Sequence, residues 1–307
     1  MSIVTTIIPI FAVVIIGWIA RHRGFIPPEF WGPANRLVFY IAIPAMIFRA
    51  VSRSCLDRQF DPLLIGLTLA ASSGGYLAAL AAARSLSLPS GCRGSFIQCS
   101  GHGNLGYIGL AVAFYYLGEQ GLAAASLLAG FLMILQNTLS VFALQSSSGH
   151  SGSGRPILMA RRVMANPVII SALAGICVSA LKIPVPLVVS RTLDILRAMA
   201  LPTALLLIGA SLSFDFIRSH KATVTAACLI KLGLMPAAGL ALFKLAGFSS
   251  ADILPAMILL ASPTATIAYV MGSQMGGDAD FAVAAISAST LVSALTFSIW
   301  LGALNAF

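Results

Sequence analysis

The residues with most to offer a ligand sit inside the stretch Ser95–Tyr116, SFIQCSGHGNLGYIGLAVAFYY. Its middle reads Gly101-His102-Gly103-Asn104-Leu105-Gly106, with Tyr107 next. Three glycines in six residues are poor helix material. The flanks are apolar enough to cross a bilayer, and a helix broken in hydrocarbon is tolerated only where protein or water satisfies the freed backbone groups. A polar, glycine-interrupted segment at membrane depth therefore marks a binding site, with Gly101 and Gly106 as the break and Gly103, Asn104 and Tyr107 as lining. The competing reading is that these glycines only let helices pack closely.

A second interrupted stretch reads Leu260-Ala261-Ser262-Pro263-Thr264-Ala265-Thr266. Proline in mid-helix removes one hydrogen bond and clashes with the preceding turn. The hydroxyls of Ser262 and Thr264 are placed to satisfy what Pro263 frees. Two broken helices meeting near the midplane would bring half-helix N-termini together, and those ends favour anions. Lys231 lies about ten residues into another apolar run, too deep to reach the membrane surface easily. A charge there is expected to neutralise a substrate carboxylate or pair with an acid. Asn137, between Gln136 and Thr138, is a further polar candidate, either lining the cavity or joining helices.

Other chemistries find little support. The five cysteines (Cys55, Cys92, Cys99, Cys177 and Cys228) show no C-x-x-C spacing and read as small apolar packing residues. Histidines and acids are scattered or lie near helix ends, so no catalytic residue and no metal site is expected. No cofactor is expected either. The scarcity of intramembrane carboxylates argues against a mechanism built on one, while coupling to a proton or sodium through carbonyls and hydroxyls stays open.

The elements that must position these residues follow from composition. Of 307 residues, 59% are hydrophobic and 9% charged; soluble domains carry about 25% charged residues. The chain is thus an all-α integral membrane protein whose partner is the lipid bilayer. Its net charge of +9 comes from basic residues at the ends of apolar runs, not from a nucleic-acid-binding block. Ten spans are expected, over Ile3–Ala20, Pro33–Ala50, Asp61–Arg84, Ser95–Tyr116, Gln120–Gln145, Met164–Leu181, Leu187–Leu212, Lys221–Ala246, Asp252–Ser273 and Ala279–Leu304. Met1–Ala20 lacks a basic leading region and reads as an uncleaved first helix.

The Ser/Gly-rich segment 146–162 reads as a flexible cytoplasmic linker between halves 1–145 and 163–307. The halves match at a fixed offset: Pro9 with Pro167, Gly17 with Gly175, Pro44 with Pro202, Gly118 with Gly276 and Thr138 with Thr296 are each 158 residues apart. Pro44 and Pro202 break the second helix of each half. The same register sets Asn104 opposite Ser262. Five helices per half is an odd number, so the halves form inverted repeats with interrupted fourth and ninth helices. With both termini outside, ten basic residues fall on the inner side and seven on the outer, the expected bias.

The sequence resembles the auxin efflux carrier family of transporters, particularly bacterial members known as malonate or malate carriers. The resemblance spans the whole chain. It rests on Asn35-Arg36-Leu37-Val38-Phe39-Tyr40 leading to Pro44, on Asn104-Leu105-Gly106-Tyr107-Ile108-Gly109-Leu110 and on Asn166-Pro167. Leu201-Pro202 with Gly209-Ala210-Ser211-Leu212, Lys231 with Pro236, and Ser262-Pro263-Thr264-Ala265 complete it. It implies ten helices in two inverted five-helix repeats, with helices 4 and 9 crossing at the substrate site. It further implies a scaffold part, an elevator-like moving part, carboxylate substrates and, in many members, a homodimer. The chain departs from the family at His102-Gly103, where bacterial relatives carry Arg or Ser before the Asn. It departs again at Ala111, where a proline is common.

The expected function is a secondary transporter of a small organic anion, such as malonate, malate or an auxin-like acid, in the cytoplasmic membrane. The alternatives are a membrane sensor or channel on the same fold, or a carrier like the sodium/bile-acid symporters.

Overall fold

The computed structural model describes residues 3–53, 61–147 and 166–306. Much of the Ser/Gly-rich segment, with Arg155, Arg161 and Arg162, lies outside them, as do Cys55, Asp57 and Arg58. Regular structure among the described residues is helical. The helices are α1 (Ile3–His22), α2 (Pro28–Leu37), α3 (Ile43–Ser52), α4 (Pro62–Ser85), α5 (Ser90–Gly101), α6 (Leu110–Ser147) and α7 (Pro167–Ala180). They continue with α8 (Leu187–Ala198), α9 (Ala200–Ser211), α10 (Lys221–Cys228), α11 (Met235–Leu245), α12 (Ser250–Leu260), α13 (Ile267–Gln274) and α14 (Ala279–Ala306).

Among the described residues seven helical segments are long and apolar enough to cross a membrane, fewer than the ten spans expected. The difference has local causes. The spans expected over Ser95–Tyr116 and Asp252–Ser273 are both broken, the first after α5 and the second between α12 and α13. α7 is apolar but only 14 residues long. α6 runs straight on from the fourth span, yet it holds a turn of its own: Gly118 takes φ 73° and ψ −162°. A side chain would be strained there, and the chain changes direction before 119–147.

Left-handed backbone positions among the described residues fall into three pairs. Gly24 and Lys182 are 158 apart, Ser87 and Gly247 are 160 apart, and Gly118 and Gly276 are 158 apart.

Three π turns mark where helices bend. One, Val38–Ala42, joins α2 to α3; another, Leu229–Leu234, joins α10 to α11; the third, Leu105–Gly109, leads into α6. Pro44 and Pro236 are each the second residue of the helix that follows. Each proline withholds an N–H from the carbonyl four residues back. For Pro236 that carbonyl is Leu232 O, and Trp300 Nε1 donates to it at 2.8 Å. Ala111 holds the same second position in α6, so this bend forms without a proline. Pro202 sits in the first turn of α9, where its missing N–H costs nothing.

The contacts divide the chain into two units. The first comprises Met1–Pro62, Gly106–Gly130 and Pro156–Ser211. Here α1 packs on α9 backbone to backbone: a Cβ at Gly17 would fall 2.1 Å from Leu206 O, and one at Gly209 would fall 1.8 Å from Val14 O. Such close approach is how helices associate where lipid removes the hydrophobic drive. Arg49, at the end of α3, makes a bidentate pair with Asp194 of α8 at 2.9 and 3.0 Å. Arg197 extends it, 3.0 Å from Asp194 and 2.6 Å from Glu119.

The second unit comprises Leu63–Leu105, Phe131–Arg155 and Leu212–Phe307. Tyr76, Phe96, Ile97, Cys99, Phe281 and Ile286 belong to its core. α5 is unusual here, because every residue from Gly94 to Gly101 is buried although many are polar.

Candidate functional site

The site lies in the second unit, where the two interrupted helices meet. In an unbroken helix Gly103 N–H would donate to Cys99 O, and Thr264 N–H to Leu260 O. Neither bond forms. Gly103 and Thr264 instead face one another as an isolated antiparallel pair. Two backbone bonds close it: Asn104 N to Pro263 O at 2.7 Å and Ala265 N to His102 O at 2.9 Å. The unwound segments thus satisfy each other, as buried backbone must.

The four groups released by unwinding are also accounted for. Gly103 N–H donates to Gln136 Oε1 of α6 at 3.1 Å, and Thr264 N–H to Ser289 Oγ of α14 at 3.1 Å. The Cys99 carbonyl accepts from Thr264 Oγ1 at 2.8 Å. The Leu260 carbonyl accepts from Lys231 Nζ at 2.8 Å. Each half-helix that ends at the crossing is therefore capped by a side chain from elsewhere, one by a hydroxyl and one by an ammonium.

Lys231 is fully buried. Its other neighbours are Met235 Sδ at 3.7 Å and the backbone of Gly103, where a Cβ would come within 3.3 Å of Nζ. Among the described residues no ion pair includes Lys231. A positive charge on Lys231 would stand at the crossing with a carbonyl dipole but, among the described residues, no carboxylate. Burying a charge without a counter-charge is costly, and an anion brought to this place would recover part of that cost. Half-helices that begin after the crossing add further positive potential.

A hydrogen-bonded chain backs the crossing. His102 Nδ1 lies 3.0 Å from Ser140 Oγ, which lies 2.8 Å from Tyr76 OH. Tyr76 OH donates to Gln136 O at 3.0 Å, and Gln136 Nε2 donates to Ser72 Oγ at 3.3 Å. Gly101 is tied to the same place by packing, since a Cβ there would lie 2.4 Å from the Tyr76 ring.

The structure brings Gly103, Asn104, Ser262, Pro263, Thr264 and Lys231 together. Their pairing differs from the 158-residue register: Gly103 faces Thr264, 161 residues on, so Asn104 is not opposite Ser262. The half-helices before the crossing, α5 and α12, start 160 residues apart, so the offset lengthens toward the break. Ser262 turns its hydroxyl back to Ile258 O at 3.0 Å. Asn137 is only half-buried and donates to Met133 O of its own helix at 2.7 Å. Its neighbour Gln136 is the residue that reaches the crossing. Tyr107 belongs to the first unit, where its hydroxyl bonds Asn35 Oδ1. Pro44 and Pro202 also lie in the first unit, and Gly106 lies in the π turn at its edge. The sequence reading did not assign Tyr76, Ser140 or Ser289 to the site. Among the described residues no cluster of three or more His, Cys, Asp or Glu has a metal-binding arrangement.

Apolar helices of membrane-spanning length beside two interrupted helices that meet at a polar crossing fit a membrane transport protein. The chain belongs to the family described as "Membrane transport protein", whose profile matches residues 2–154 and 155–301. A relative from Rhizobium meliloti (strain 1021), named "Putative malonate transporter", is 27% identical over 94% of this chain and 92% of its own length. An "Uncharacterized transporter" of Methanothermobacter thermautotrophicus is 24% identical over 96% of each chain. Another, from Methanocaldococcus jannaschii, is 23% identical over 95% of each chain.

Proposed function

We propose that this protein is a secondary transporter that carries a small dicarboxylate, of which malonate is the leading candidate, through the cytoplasmic membrane by alternating access. The observation that carries this reading is the buried Lys231 ammonium, set without a carboxylate against the crossing of two broken helices. An intramembrane charge left without an internal counter-charge suits a carrier of a carboxylate. The name of the Rhizobium relative points to the same substrate class.

The architecture in this proposal is ten membrane crossings in two inverted five-helix repeats, residues 1–145 and 163–307. The three pairs of left-handed residues at nearly constant spacing support it. So does the contact of His220 Nε2 with Asp278 Oδ2 at 3.5 Å, since the loops after the seventh and ninth expected spans must share one side. In an elevator-type cycle the second unit, which holds the whole crossing, is the moving part. Asn104 contacts the substrate and Lys231 supplies the positive charge that holds it, while Ser262 and Thr264 keep the crossing in shape.

Purified protein in proteoliposomes should accumulate labelled malonate saturably and exchange it for unlabelled malonate inside. Asn104→Ala should lower that uptake while inserting normally. Flux that never saturates would instead indicate a channel, and binding without uptake a sensor. Uptake that needs a sodium gradient would favour a carrier of the sodium/bile-acid-symporter kind. Failure to move any small dicarboxylate would overturn the proposal.

A further inference from the structure

We propose that His102 carries the proton that accompanies the substrate, binding it at Nε2. This rests on the transporter reading above. One arrangement of protons makes every contact of the buried chain behind the crossing a hydrogen bond. Tyr76 has one hydroxyl proton, and it is committed to Gln136 O. Toward Ser140 the phenol oxygen therefore accepts, and Ser140 spends its single proton on Tyr76. Toward His102 the serine oxygen can then only accept. Nδ1 must hold a hydrogen and donate it. A neutral imidazole protonated at Nδ1 has its lone pair on Nε2, which makes no hydrogen bond among the described residues.

The backbone of His102 is held at both ends. Its N–H donates to Gln98 O at 2.8 Å, and its carbonyl accepts from Ala265 N at 2.9 Å. The base is thus built into the crossing and cannot swing away without opening it.

The titratable groups around it are few. Lys231 approaches from the π turn before α11, Tyr76 from α4 and Cys99 from α5. α6 contributes the neutral Ser140 and Gln136, and the α12–α13 connection contributes Thr264. No carboxylate is among them. Lys231 supplies one positive charge to the crossing, whereas a dicarboxylate brings two negative ones. A proton on Nε2 supplies the second positive charge, so the loaded site crosses the membrane neutral, which is the inexpensive way to move ions through hydrocarbon. An N–H bond forms as the lone pair takes a proton from water on one side, and it breaks to water on the other.

The test loads proteoliposomes with a trapped pH-sensitive dye and adds labelled malonate outside. The wild-type interior should acidify in step with malonate entry. In His102→Asn the side-chain amide still donates to Ser140 but has no titratable nitrogen. Acidification should be lost, and an inward proton gradient should no longer speed uptake. Calorimetry on the wild type needs no variant: malonate binding in phosphate and in Tris should give different heats, as proton uptake by the protein requires. Malonate entry without acidification, equal heats in both buffers, or acidification by His102→Asn at the wild-type rate would overturn the proposal while leaving the transporter reading standing. Failure to move malonate or any other small dicarboxylate would overturn that reading instead, and this proposal with it.

Discussion

Of the lysines and arginines, two are almost fully buried among the described residues, Arg49 in the first unit and Lys231 in the second, and the protein treats them oppositely. Arg49 is 3% exposed and meets Asp194 with both ends of its guanidinium; Arg197 and Glu119 continue the alternation of charge. Lys231 is 0% exposed and meets only a carbonyl and a thioether. The first arrangement is electrically closed and fits a structural clamp between α3 and α8. The second is open by one charge and fits a site that waits for an anion. Burial of a cation does not by itself mark function; what faces it decides.

That contrast can be broken in several places. Lys231→Ala should have the largest effect, reducing malonate uptake to background. It also strands Leu260 O, at a stability cost of about 1–3 kcal/mol, read as a lower unfolding temperature in detergent. Asp194→Asn should do the reverse, leaving Arg49 buried without a counter-charge. Because Asp194 is 38% exposed, the expected loss falls below the ~3–5 kcal/mol of a fully buried broken pair. Uptake per folded molecule should survive. Gly101→Ala sharpens the second unit, since its methyl would strike Tyr76; about 1–3 kcal/mol of strain is expected, with weakened transport. Thr264→Val removes only the bond to Cys99 O, at about 1 kcal/mol, and should raise the malonate KM modestly. Glu119→Gln should matter least, below about 1 kcal/mol and less still in high salt, because its partner Arg197 is partly solvated.

Much of the candidate site is legible in the sequence. Glycines at 101, 103 and 106 and the proline at 263 announced two interrupted helices, because chain stiffness is local. Lys231 announced itself, because a charge ten residues into an apolar run has nowhere easy to go. What the sequence could not reveal depends on which residue faces which across the fold. Gln136 and Asn137 are adjacent amides, and only the rotation of α6 decides that Gln136 caps Gly103 while Asn137 bonds its own helix. The 158-residue register held at Gly118 and Gly276 yet misplaced the crossing. Spacing lengthens through α5 and α12, so Gly103 meets Thr264 instead of Asn104 meeting Ser262. Tyr107 looked like part of the break but packs with Asn35 in the first unit. His102 was opaque because its partners, Ser140 and Tyr76, are 38 and 26 residues away in sequence. Ala111, a departure from the family pattern, proves neutral for shape. The π turn before it forms as it does before Pro44 and Pro236.

The most direct measurement compares labelled malonate uptake by reconstituted Lys231→Ala and Asp194→Asn, each corrected for the amount of folded protein. Lys231→Ala should bind and move no malonate, while Asp194→Asn should move it at near the wild-type rate. Wild-type uptake by Lys231→Ala would contradict this, since the uncompensated charge at the crossing would then have no part in holding the substrate.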